Sequence, residues 1–436
     1  MKAKKLLTCF VAIWMLFSLF EFTPLAANEK TITTNGNGGR TDVGAWFVTY
    51  NTDKMWANNF GHGFPIKYRV LLPDGTYGIP DSYNTTVIDF QIAQLAEAQI
   101  DFILFDLTNG GLTEKIPYGW DGNQWIVETA QLTCERLKIW NESHEWKVKY
   151  AVGVGVYANL RKSLSIGQAA EYQAEAVLEK FYNKYGEDNY YQINGKPLLM
   201  LHDFGNETAL TVPGGWNMYS ASSSTDHDAG DQFTMRGSLS TPHEDTGYAW
   251  YTPMGGTIVT EESVTVCPGQ WNHANSTPSA FRENGKHYIN DWKTVIESKT
   301  TPDVVLISSF NDYNEDTAVF TADTSQCNPE WEEQWLDDTG NLNASMYWEI
   351  TKEGIATLRK NNKDSFADLK AVISGNTRSW FSEQNKNSSG KKLLDYFTFY
   401  PVLFCMIGFF VVVLIIAAMV LIIVFRKINK RSSKTV

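Results

Sequence analysis

Short apolar runs alternate with amphipathic stretches along most of this chain. "GAWFVTY" (44–50) is the first apolar run. In "VIDFQIAQLAEAQ" (87–99), Ile88, Ile92, Leu95 and Ala96 fall at helical spacing, and "IDFILFDL" (100–107) follows without a gap. "IVETAQLTCERLKIW" (126–140) reads as a second amphipathic helix leading into "KYAVGVGVY" (149–157). "GQAAEYQAEAVLEKFYNKYG" (167–186) is a third, before "KPLLMLHDF" (196–204). Strands alternating with helices in this rhythm predict parallel strands joined by crossover helices.

The middle of the chain carries less helix. "DQFTMRGSL" (231–239), "GYAWYTP" (247–253) and "ESVTVCPGQ" (262–270) read as three strands in succession. A helix over 289–299 then precedes the strand that opens "VVLISSFNDYNEDTAVF" (304–320), and a helix over 346–359 closes the series. Eight strands in an α/β alternation over residues 41–361 predict a (β/α)8 TIM barrel, whose usual size this segment has.

Both ends of the chain break this pattern. In residues 1–28, Lys2, Lys4 and Lys5 precede an apolar run and then the small residues Ala26 and Ala27, the layout of a secretory signal peptide. Residues 362–397 turn polar and read as a stalk. Residues 402–425 carry no charge and are long enough to cross a bilayer, with Arg426 and Lys427 opening a basic tail over 426–436. The expectation is a type I, single-pass transmembrane protein whose barrel is an ectodomain at the cell surface or in the lumen of the secretory pathway, with the lipid bilayer as one partner.

Charge narrows the other partners. The chain has a net charge of −12, and its exported part is more acidic still once the leader lysines and the basic tail are set aside. Such a surface repels nucleic acid and leaves neutral glycans compatible. Cys134, Cys267 and Cys327 stay on the exported side, where an oxidising compartment favours one disulfide, with Cys267 and Cys327 the pair that the inferred fold brings nearest. No CxxC or clustered Cys/His spacing occurs, so neither a metal nor another cofactor is expected. Asn84, Asn141, Asn206, Asn275, Asn343 and Asn387 stand in glycosylation sequons.

Catalytic residues of such barrels sit where the strands end. The ends of these strands offer Trp46 and Tyr50, Asp106, Tyr157, His202 and Asp203, Trp250 and Tyr251, Trp271, and Asn311, Asp312 and Glu315, with Tyr288 just before the helix between the last two strands. Polar residues cap strands everywhere, and each of these alone says little. Together they set carboxylates among aromatic rings, a mixture suited to the hydroxyls and C–H faces of sugars. Asp312 and Glu315 lie three apart just beyond a strand, so one turn can bring both carboxylates to one cavity. Glycoside hydrolysis needs two such groups, one to give a proton to the leaving oxygen and one to act as base or nucleophile.

"SFNDYNEDTAVF" (309–320) resembles the S-F-N-E-W-x-E-G-T segment of glycoside hydrolase family 99, and the W-N-D-Y-G-E segment of family 71 α-1,3-glucanases. Upstream, Pro268-Gly269 and then Arg282, Asn284, Gly285 and Tyr288 follow the family 99 order of a Pro-Gly, an Arg-x-Asn-Gly-x-x-Tyr and a helix. The resemblance implies a barrel acting on α-linked glycans of α-mannan or α-glucan type. It implies Glu315 as general acid/base, and Asp312 as the carboxylate that works on the sugar 2-hydroxyl or on water. Three departures stand out: Asp at 312 in place of Glu, Asn314 where family 99 often has His, and Gln270-Trp271-Asn272 in place of an acidic turn.

Two other readings remain open from the sequence. One is a barrel that binds glycan as a receptor or adhesin without turning it over. The other is a barrel enzyme of another type, for which Asp226-His227-Asp228 would offer metal ligands, although "STDHDAGD" also reads as a solvated loop.

Overall fold

A computed structural model describes residues 40–58, 65–109, 112–113, 124–156, 164–202, 232–238, 257–272, 278–330 and 332–360. Its strands in chain order are β1 (Asp42–Phe47), β2 (Arg69–Leu71), β3 (Tyr77–Gly78), β4 (Phe102–Leu107), β5 (Lys149–Gly155), β6 (Gln192–Ile193), β7 (Lys196–His202), β8 (Thr234–Ser238), β9 (Ser263–Val266), β10 (Val304–Ile307) and β11 (Ala322–Asp323). The main helices are α1 (Asp53–Asn58), α2 (Thr85–Glu97), α3 (Gln124–Ser143), α4 (Ile166–Val177), α5 (Lys286–Glu297) and α6 (Met346–Lys360).

The long strands are buried at nearly every position, as parallel strands covered on both faces must be. Their pairing runs β8-β7-β5-β4-β1-β10-β9, parallel throughout, with short β6 added antiparallel to β7. Followed round the sheet from β1, each strand lies beside its successor in sequence, and β10 returns to pair with β1 through Asp42↔Val304 and Ala45↔Ile307. That is the strand order of a parallel α/β barrel, seven strands of which are described, with β8 and β9 at the two edges. The strand expected over 247–253 lies outside the described residues.

Inside the sheet, shape is set by aromatics on small neighbours. Phe102 lies over Gly44, where an added Cβ would come within 2.3 Å of the ring, and stacks on Tyr191 at 3.8 Å between centroids. The outer helices start where the sequence provides caps. Asn84 accepts from Thr86 N at 3.0 Å to begin α2, and Ser165 and Gln168 form a reciprocal capping box at the start of α4. α4 then widens into a π turn over Leu178–Tyr182, so the predicted single helix over 167–186 is three pieces.

A charged cluster ties the two ends of the domain together. The Asp101 carboxylate, just before β4, accepts from Val43 N at 2.7 Å and from the guanidinium groups of Arg40 and Arg359. Arg359 also donates to the carbonyls of Thr41 and Gln99. The last turn of α6 therefore sits against the amino-terminal ends of β1 and β4, on the face opposite the strand ends that carry the candidate residues.

The expected disulfide is not formed: Cys134, Cys267 and Cys327 are all buried free thiols. Cys267 instead donates to the carbonyl of Gly269 at 3.3 Å. Asn141 is buried as well, its amide bonded to both backbone groups of Val148 and to Asn189, so that sequon is used within the fold. The leader, stalk, apolar run and tail (1–28, 362–397, 402–425 and 426–436) lie outside the described residues, as does Asp226-His227-Asp228. Among the described residues, no helix is long and apolar enough to cross a membrane and no cluster of metal-ligating side chains occurs.

Candidate active site

After β10 the chain makes a closed turn rather than running out to solvent. Ser309 N donates to Thr317 O at 2.9 Å, Val319 N to Ser309 O at 3.0 Å, and Phe320 N to Phe310 O at 3.0 Å. Within that closure the carbonyl of Asp312 accepts from Thr317 N and Ala318 N, both at 3.1 Å. The turn buries its apolar members. Tyr313 donates to Phe320 O at 2.8 Å, with its ring among Trp56, Tyr68 and Trp335.

Asn311 fixes the turn to the neighbouring strand end. Its amide nitrogen donates to Val48 O at 3.0 Å and its oxygen accepts from Val48 N at 2.8 Å, so both ends of the side chain are taken up by backbone. This joins the segment after β10 to the segment after β1, and Tyr50 lies two residues beyond Val48.

Asp312 is buried, and its Oδ1 accepts from Asn314 N at 3.0 Å and Glu315 N at 3.1 Å. The Tyr50 hydroxyl also donates to its carboxylate. Burial, then the nearby carboxylates of Glu315 and Asp106, hold the Asp312 carboxyl well above the usual range, against the pull of the backbone and Tyr50 hydrogen bonds. Asp106, from the end of β4, is itself pushed up by burial, while Thr108 donates to its Oδ1 twice, from N at 3.0 Å and Oγ1 at 2.6 Å. Tyr50, buried beside these carboxylates, is pushed well above an ordinary phenol and stays a hydroxyl.

Glu315 is half-buried, and each of its oxygens accepts one side-chain amide. Gln270 Nε2 lies 3.1 Å from Oε2, and Asn272 Nδ2 lies 3.1 Å from Oε1. Trp271 N, between them, donates to the carbonyl of Glu315 at 2.9 Å. The segment after β9 thus grips Glu315 by side chain and backbone together. Gln270 and Asn272 were not among the expected ligand-binding residues. The signal for them was a departure, two amides where the family that this segment resembles has an acidic turn.

Strands β1, β4, β9 and β10 thus bring Tyr50, Asp106, Trp271, Asp312 and Glu315 into one cluster. Trp46 is buried in β1 below it, with its ring against Gly153. His202 ends β7, opposite Gly155 and Ser238 in register, and burial lowers it to about 4, which keeps the imidazole neutral. Tyr288 is elsewhere. It is fully buried on α5, its hydroxyl 2.9 Å from Thr351 Oγ1 and its ring against Trp292 and Tyr347, because α5 turns that face toward α6 rather than toward the strand ends. Tyr157, Asp203, Trp250 and Tyr251 lie outside the described residues.

No protein-family model matches the chain, and no curated protein matches it. Among solved structures, the chain is similar to a GH99 endo-alpha-mannosidase from Bacteroides thetaiotaomicron in complex with Bis-Tris-propane. The identity is 17%, the match covers 74% of this chain and 98% of that one, and the TM-score is 0.49. A second structure of that enzyme matches at 17% identity and TM-score 0.49, over 73% of this chain and 98% of that one. A glycoside hydrolase-like protein matches at 16% identity and TM-score 0.43, over 72% of this chain and 94% of that one.

Proposed function

We propose that this protein is a glycoside hydrolase that cleaves α-linked glycan, of α-mannan or α-glucan type, with Asp312 and Glu315 as its two carboxylates. The observation that carries the reading is the environment of that pair. Two carboxyl groups stand on one turn, Asp312 buried and pushed up by its neighbours and Glu315 holding a side-chain amide at each oxygen. A pair with one proton and one negative charge has what the reaction needs. The proton goes to the oxygen of the departing sugar as the glycosidic bond breaks. The charge takes a proton from the attacking water or from a sugar hydroxyl, and hydrolysis returns the pair to its starting protonation.

Exposure divides the labour. Glu315, the less buried, is the group for the leaving oxygen, and Asp312, backed by the Tyr50 hydroxyl, is the group for the water or hydroxyl proton. Asp106, at the same opening, is placed to accept sugar hydroxyls. The apolar run over 402–425 and its basic tail support a surface-anchored domain. The test is incubation with a panel of α-mannans and α-glucans, read by product NMR. New reducing ends from one of them, lost in Asp312→Asn, support the reading. Binding without new reducing ends would mark a glycan receptor instead.

A further inference from the structure

The residue after Glu315 rests on a buried cation. Asp316 has a left-handed backbone at φ 52 and a buried side chain. Its Oδ1 accepts from Arg282 Nε at 2.9 Å and from the Tyr68 hydroxyl at 2.6 Å, and its Oδ2 accepts from Glu333 N at 3.3 Å. Arg282 also donates from Nη2 to the carbonyls of Asp316 at 2.8 Å and Ala318 at 2.9 Å. Its guanidinium lies over the rings of Trp335, at 4.9 Å, and Tyr347, at 4.4 Å. A buried ion pair is a poor device for stability alone, since apolar residues of similar volume commonly do as well. A planar fork reaching three acceptors of one turn fixes that turn in place.

The same side chain supports the other grip on Glu315. Gly269 adopts φ 154, and an added Cβ there would come within 2.5 Å of Arg282 Cγ. The next residue, Gln270, pairs its backbone with Ala280, two residues before Arg282, and gives its amide to Glu315. The turn that carries Glu315 and the segment that carries its amide partner thus both pack on Arg282, the turn on its guanidinium and the segment on its aliphatic stem and adjoining backbone. We propose that Arg282 is a positioning residue that sets the place of the Glu315 carboxylate without touching substrate. The proposal deepens the two-carboxylate reading and rests on it for its effect on turnover, though not for its effect on Glu315 itself.

The test compares full-length wild type, Arg282→Lys and Tyr68→Phe in detergent, with Glu315→Gln to assign the Glu315 signal in protein carrying ¹³C-labelled glutamate carboxyls. Lysine keeps the charge but loses the fork, and phenylalanine removes the Tyr68 hydroxyl that donates to the Asp316 carboxylate. The expected result is a displaced Glu315 titration in both variants. With it, kcat should fall about 10- to 100-fold in Arg282→Lys while KM stays within about threefold, the signature of a reacting group moved out of line. Folded variants whose Glu315 titrates as in wild type would overturn the proposal, and Tyr68→Phe decides alone if Arg282→Lys does not fold. A displaced titration with turnover unchanged in every variant, Glu315→Gln included, would uphold the positioning and reject the catalytic reading.

Discussion

Tyr50 and Asp312 share a hydrogen bond in which the phenol donates and the carboxylate accepts, although they stand at opposite ends of the domain's sequence. The link follows from topology. β1 and β10 are parallel neighbours, so the segments leaving them rise side by side, and Asn311 fastens the two at Val48. The phenol favours the ionised form of a carboxyl group that burial and two other carboxylates push the other way.

Tyr50→Phe removes that counterweight. The Asp312 carboxyl should then be held still higher, and any step that needs it ionised should require a more alkaline medium. A charge-assisted hydrogen bond of this kind is worth about 1.5–3 kcal/mol, so kcat near neutral pH should fall at least about 10-fold. The acid limb of the pH–rate profile should move upward. An unmoved acid limb would separate Tyr50 from the chemistry.

Gln270→Leu and Asn272→Leu each remove one amide from Glu315 while keeping the backbone bonds of the segment after β9. Each should lower kcat/KM by about 10-fold with little change in melting temperature, since one lost hydrogen bond is worth only about 0.5–1.5 kcal/mol. Steady-state kinetics beside thermal melts would check both halves of that statement. A loss of stability matching the loss of activity would make the two amides scaffold only.

Much of this was legible in the sequence where one face of an element is buried. The alternation of apolar runs with helical spacing foretold β1, β4, β5, β7, β9 and β10 and the helices between them, because burial on both faces leaves a run that polar residues cannot interrupt. The turn after β10 stood out for a chemical reason, since carboxylates so close together are costly unless a site uses them. Asn311 and Tyr288 were less legible. Both looked like ligand-facing polar residues, but an amide can satisfy a neighbouring backbone as readily as a sugar, and helix rotation decided where Tyr288 points. The grip of Gln270 and Asn272 on Glu315 joins residues more than forty positions apart, and no local pattern announces such a pairing.

Glu332 gives a prediction about stability. It is fully buried, accepts from Lys67 N at 2.7 Å and Asn328 N at 3.0 Å, and burial pushes its carboxyl up to about 7. A carboxyl whose folded pKa lies above its unfolded value stabilises the fold fully below the unfolded value, and loses that contribution as pH rises through about 7. Glu332→Gln does not titrate and loses one acceptor at every pH. The variant should therefore be clearly less stable than wild type near pH 4.5, with the gap closing by on the order of 3 kcal/mol by pH 8. Denaturant melts across that window check it, and a gap independent of pH would contradict it.

The three thiols give a chemical one. Cys134, Cys267 and Cys327 are buried, and burial pushes Cys267 up to about 12, so none should react while the fold holds. Iodoacetamide should label all three peptides after denaturation without reductant and none before it. A linked Cys267–Cys327 peptide would show that the protein oxidises that pair.

Glu315→Gln is the most direct test of the account. The substitution keeps shape and one acceptor oxygen but removes the proton that the leaving oxygen needs. Turnover of the proposed glycan substrate should fall by about 10²- to 10⁴-fold, while a substrate with an activated leaving group, which needs little protonation, should be largely spared. Asp312→Asn should lose both. A folded Glu315→Gln protein that cleaves the proposed glycan substrate at the wild-type rate would contradict the two-carboxylate site.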